Sequence, residues 1–480
     1  MRGTLVLRHP AVTGYRAKAA AATAVAAFVA YAGAQRLLTG GLTTLLLLAA
    51  VGVAAFVLEK PRGATLVMLV VSAPLVQVLK TQLHLGGLTT DAFEVFAYAL
   101  VARWVVSRGR EEPTPSWRFA APVLLLVAGA TVGLGYSVLR GGDRFLAIGQ
   151  YKSYLVYLLV LPLTALFATT RDKERLERWV VRFCTFGSVV VLVAAAVGSE
   201  LPTEAPELPL NTFGVTTQVQ RIRPAMLWLL FLATLLVLGK VFTYGLKRAD
   251  AVRLTLYALV WVFSFNRSSW GALLVCGGLL ALVRPGVRSP GRGLRTVAVA
   301  SLVVPLFLSI AATGALGRTL SAVPARLESL VNPKVAQEDA VQDRASEYPA
   351  AVAALERSPV VGVGLGRSYG ARRPFYDPRL GVVVYEDRPF SHNSLLFAYL
   401  QTGLLGVAAL VLLGVAGYRA AVEARKRLPT DVALRVVTGS VALLGYGIQS
   451  LSQTSLLHRP GITALVVSMV LATRPREFGA

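Results

Sequence analysis

The chain has only four histidines. One of them, His392, stands where a polar segment gives way to an apolar one, in RPFSHNSLLFAYLQTGLLG (388–406). An imidazole titrates near neutrality and can take a proton from an attacking hydroxyl. Ser391 and Asn393 on either side are helix-capping types, so the same stretch also reads as an ordinary helix start. The other candidates are cations. Arg267, in SFNRSSWGALLV, lies between two apolar stretches with no loop to carry it into bulk water. A charge at such depth is costly and calls for an anionic partner. Arg221 and Arg223 flank the start of a further apolar run, Arg344 opens DRASEYPAAVAALERSP, and Arg140, Arg144 and Lys152 surround LRGGDRFLAIGQYKSY. Snorkelling at a membrane surface is the plain alternative for each. A guanidinium fork matches phosphate oxygens, so arginines beside one imidazole suit a lipid-tethered pyrophosphate.

The elements that must position these groups are membrane spans. The 480 residues are 55% hydrophobic and 15% charged, well below the roughly 25% charged of soluble domains. Apolar runs long enough to cross about 30 Å of hydrocarbon recur at 18–35, 41–58, 64–80, 90–107, 119–138, 146–170, 179–199, 223–240, 251–266, 269–284, 296–315, 393–415, 432–452 and 458–473. The expectation is one all-α polytopic membrane domain, 1–480, with about 12–14 transmembrane helices. The net charge of +24 is explained by the positive-inside rule, without nucleic acid. With both termini cytoplasmic, alternate connections carry most of that charge. The longer connections, 200–222 and 316–391, then fall outside. The second holds ten Lys or Arg, nine Asp or Glu and two helix-patterned stretches, TLSAVPARLESLV and DRASEYPAAVAALERS. Long structured loops of this kind are usually functional.

On this topology His392 lies at the outer surface. Asp91, Glu94, Asp143, Asp343 and Glu347 share that side and offer an alternative base. Asp343 and Glu347 are expected to pair with neighbouring arginines on their own helix. His84 and His458, with nothing converging on them, read as structural, and Cys184 and Cys276 as packing residues inside spans.

RASEYPAAVAALERSPVVGVGLGRS followed by FSHNSLLFAYLQTGLLG resembles the O-antigen ligase and O-antigen polymerase family. The shared features are an arginine-led helix, a turn of Pro359, Gly362, Gly364 and Gly366, the pair His392 and Asn393, and the step Gly403 to Gly406. FNRSSWGALL is similar to the family's Ser-Arg-Gly segment, without its glycine, and Tyr348 stands where Trp is common. The resemblance implies a GT-C-like bacterial inner-membrane glycosyltransferase, active on the extracytoplasmic face and needing no cofactor, metal or nucleotide sugar. It would move a glycan from an undecaprenyl-pyrophosphate carrier to an acceptor hydroxyl on a glycan or glycolipid, with inversion. Arg267 and Arg344, and more loosely Arg223, would bind the pyrophosphate; His392 would act on the acceptor. Asn393, Arg221, Arg140, Arg144, Lys152 and Tyr348 remain possible substrate-binding residues. The glycines read as a tight turn, with a phosphate cradle as the alternative. Ligase and polymerase stay open. A polysaccharide or lipid transporter is the competing class, against which no matched pair of broken helices is found.

Overall fold

The structure is a computed structural model that describes residues 52–53, 55–72, 82–85, 88–107, 116–196, 207–212, 215–220, 224–264, 266–283, 339–370, 372–377, 382–387, 391–453 and 456–478. Its helices are α1 (Pro61–Ser72), α2 (Ala92–Ser107), α3 (Trp117–Leu139), α4 (Arg144–Val156), α5 (Val160–Leu166), α6 (Thr170–Ala196) and α7 (Leu227–Tyr244). They continue with α8 (Arg248–Ser264), α9 (Arg267–Val283), α10 (Asp339–Arg357), α11 (Ser394–Arg427), α12 (Thr430–Ser450) and α13 (Arg459–Ala472). Six stretches among the described residues are long and apolar enough to span a membrane: 117–139, 144–166, 170–195, 227–244, 394–427 and 430–450. The protein is therefore an all-α polytopic membrane protein. The expected spans 18–35 and 296–315, and most of 41–58, lie outside the described residues.

The centre of the bundle is α7, whose sequence LWLLFLATLLVLGKVFTY is apolar on every side. A helix of that kind belongs in a core or a bilayer. It is buried along most of its length and is surrounded by α6, α8, α9, α12 and α13. The expected span 146–170 is one span-length stretch, 144–166, within which α4 and α5 are joined by a 3₁₀ turn, Tyr157–Leu159. The expected loops contain three antiparallel hairpins that periodicity had not suggested: Gln82–Leu85 with Leu88–Asp91, Glu207–Thr212 with Val215–Gln220, and Arg372–Asp377 with Val382–Asp387. The second occupies most of 200–222 and the third closes the 316–391 connection.

One end of the bundle is held by buried ions. Glu177 accepts from Arg435 Nε at 2.7 Å and pairs with Lys240 at 2.5 Å. Lys173, fully buried, donates to the Val470 carbonyl at 2.7 Å and to both oxygens of Thr473 at the end of α13. A cation satisfying the last carbonyls of a helix is favourable both as a donor and against the helix dipole. At the opposite end α9, α10 and α11 begin or converge around His392.

Candidate functional site

Helix α10 presents Glu347, Ala351 and Leu355 at four-residue spacing, so all three share one face. That face packs on Phe397, Leu400 and Tyr369, and Glu347 is only 2% exposed. Its carboxylate meets the start of α11. Glu347 Oε1 lies 2.7 Å from His392 Nδ1, while Oε2 accepts the His392 backbone N–H at 2.9 Å and the Ser391 hydroxyl at 3.1 Å. Burial pushes this carboxyl up. The hydrogen bonds from the His392 ring and backbone, the ring's charge and the Ser391 hydroxyl outweigh it and hold the group below its ordinary value. An ionised carboxylate can only accept, so the 2.7 Å contact puts the imidazole proton on Nδ1 and makes Nε2 the basic nitrogen. The ring is about one-third exposed.

The neighbours fix this geometry. Asn393 is the N-cap of α11: its side-chain oxygen accepts from Leu395 N and Leu396 N, both at 3.0 Å, and its amide donates to the Tyr348 hydroxyl at 3.2 Å. The capping reading of this stretch thus holds, and His392 stands beside the cap. Ser394 donates to the Gln453 carbonyl at 2.5 Å. Gln453 Nε2 in turn donates to Asn266 Oδ1 at 2.6 Å, immediately before Arg267 at the start of α9. Arg344 sits three residues, just under one turn, before Glu347 on α10. The helix positions of Arg267 and Arg344 are therefore tied to the same end as His392, although their side chains lie outside the described residues. Arg221 and Arg223 lie outside them altogether, as do the side chains of Asp91, Asp343 and His84.

The remaining candidates are placed elsewhere. Arg140 lies over the Tyr136 ring, 5.5 Å from its centroid, and Arg144 is exposed at the first position of α4. Lys152 reaches Glu94 at 2.8 Å, and the same buried carboxylate takes Arg459 at 2.6 Å. Among the described residues none of these three cations contacts Glu347 or His392. Asp143 caps α4 by accepting from Leu146 N, and His458 stands at the N-cap position of α13. Glu347, expected to pair within its own helix, meets His392 and Ser391 at the start of α11, while the Arg344 side chain that would test the expected pairing lies outside the described residues. Nothing in the sequence had joined Glu347 to His392 or singled out Gln453.

The glycine turn is structural. Gly362, Gly364 and Gly366 have φ of 75°, 91° and 69°. Val363 and Gly364 donate to the Leu400 carbonyl (2.6 and 3.1 Å), Leu365 to the Gly133 carbonyl (3.3 Å) and Gly366 to Gln150 Oε1 (2.7 Å). With these N–H groups engaged by protein, the phosphate-cradle alternative is set aside. The Leu400 carbonyl is available because α11 breaks at Gly403 (φ 62°, ψ −155°), where Leu404 N–H turns to the Val360 carbonyl at 2.9 Å. The turn and the Gly403–Gly406 step are two halves of one joint, and that joint sets α10 against α11.

Fold and site together define a class: a polytopic helical membrane protein carrying a carboxylate-held imidazole at one end of its bundle. Residues 252–411 match the family model described as O-antigen ligase. The match covers a third of the chain and includes Arg267, Arg344, Glu347 and His392; this region is similar to the O-antigen ligase family, to which its motifs had pointed. No curated protein matches the chain.

Proposed function

We propose that this protein transfers a glycan from an undecaprenyl-pyrophosphate carrier to an acceptor hydroxyl during cell-surface polysaccharide assembly. The observation that carries the reading is the 2.7 Å contact between Glu347 and His392 Nδ1. It orients the ring, fixes its tautomer and stabilises the imidazolium that forms when Nε2 takes the acceptor's proton. The acceptor oxygen then bonds to the anomeric carbon from the face opposite the carrier. The bond from that carbon to the pyrophosphate oxygen breaks, and its electron pair leaves with the lipid diphosphate. Arg267 and Arg344, with Arg223 in support, bind the diphosphate as its charge grows, which lowers the barrier more than it tightens ground-state binding.

The site end faces the extracytoplasmic side of a bacterial inner membrane, and both termini are cytoplasmic. Support comes from the opposite end, where α11 closes on Arg425, Lys426 and Arg427 and α6 opens with Arg171, Lys173 and Arg175. The chain acts as a single membrane domain, with 200–222 and 316–391 as outer connections. The test uses purified protein, a lipid-diphosphate glycan and candidate acceptors, with products identified by mass. Transfer to a different molecule makes it a ligase; extension of a carrier-linked glycan makes it a polymerase. No product with any acceptor, from well-folded protein, counts against the reading.

A further inference from the structure

At the end of the bundle remote from His392, α3, α11, α12 and the segment after α13 enclose a cleft lined by Arg118, Arg427 and Arg474. Its inner wall is apolar, formed by Ala420, Ala424, Leu428, Val436 and Ala472. Only one of the three guanidiniums is neutralised there: Arg118 Nη2 donates to both carboxylate oxygens of Glu423, at 2.7 and 2.9 Å. Arg427 is exposed with no acidic partner among the described residues. Arg474 buries its Nε with no acceptor among them. A buried guanidinium N–H left without an acceptor is costly, so its persistence points to a ligand oxygen.

We infer that this cleft binds the phosphate of an anionic phospholipid. Arg474 and Arg427 would hold the phosphate oxygens, and the apolar wall would guide the acyl chains into the bilayer. The fit is threefold. The cleft carries a net surplus of two positive charges, it is bordered by transmembrane helices that end at this level, and basic pockets between such helices favour anionic head groups. A neutral lipid would leave the surplus charge unanswered. The site is remote from His392 and does not depend on the transferase reading.

The experiment measures lipid binding to the detergent-purified full chain by native mass spectrometry and by thermal shift. Phosphatidylglycerol, phosphatidylcholine and inorganic phosphate serve as separate probes. Arg427→Gln is the gentle variant, since Arg427 is exposed, and Arg427→Gln/Arg474→Gln is the full one. Phosphatidylglycerol is expected to be retained and to raise the melting temperature. Its affinity should fall about tenfold in the single variant, as for loss of one charge-assisted hydrogen bond, and further in the double variant. Phosphatidylcholine and millimolar phosphate should do neither. Equal phosphatidylglycerol binding by the wild type and Arg427→Gln would overturn the inference, as would equal stabilisation by phosphatidylcholine. Stabilisation by inorganic phosphate alone would overturn its assignment to a lipid.

Discussion

Glu347 and His392 are 45 residues apart in sequence and 2.7 Å apart in space. Replacing the carboxylate with an amide in Glu347→Gln keeps the shape and removes the charge that stabilises an imidazolium. The expected result is a fall in kcat of about a hundredfold, within the usual range for acid–base groups, with little change in donor KM. Steady-state transfer kinetics check this; a KM effect alone would mean Glu347 serves binding. The same carboxyl gives a pH dependence of stability. Folding holds it below its ordinary value, so its contribution is complete above the unfolded carboxylate range, about 4.3, and is lost as pH falls through the lower folded value. Below about pH 4.5 the wild-type melting temperature should fall more steeply than that of Glu347→Gln. The sequence drew attention to His392, a rare titratable ring at a polar–apolar boundary. Its contact with Glu347 was not legible there, because the two are far apart along the chain and only tertiary packing joins them.

At the scale of elements the joint between the glycine turn and α11 sets the site. A Cβ on Gly403 would overlap the Val360 carbonyl, and its backbone lies in a region that residues with side chains avoid. Gly403→Ala should cost about 1–3 kcal/mol or more and lower transfer with it. Gly414→Ala on the same helix, where a Cβ meets nothing, should be neutral or stabilising by up to about 1 kcal/mol. Thermal melts of the two variants side by side separate a general intolerance of α11 from a local one. The sequence displayed both glycine motifs but not their interlock, since a free Leu400 carbonyl exists only once the helix is broken. The hairpins were missed for another reason. VTTQVQ and its partner ELPLNT are short and mixed in polarity, and they pair only in the folded chain, whereas membrane spans announce themselves by length.

Across the whole molecule, hydropathy alone revealed a helical membrane bundle. It could not reveal how buried ions secure the end remote from His392, because each ion pair joins distant helices: Glu177 on α6 to Arg435 on α12 and Lys240 on α7. Removing one member of a buried pair strands the other, at a cost of about 3–5 kcal/mol. Glu177→Gln should therefore lower the melting temperature and the yield of folded protein, while the protein that remains folded keeps its transfer rate. A loss of turnover without a loss of stability would mean that the two ends communicate.

The central claim is that His392, held by Glu347, activates the acceptor hydroxyl beside a bound lipid diphosphate. Its most direct test is the initial rate of glycan transfer by the wild type, His392→Ala, Glu347→Gln and the double variant, each confirmed folded. Two residues acting as one unit should give a double variant no slower than His392→Ala, with all three well below wild type. Near-wild-type transfer by His392→Ala, or losses that simply multiply in the double variant, would contradict the account.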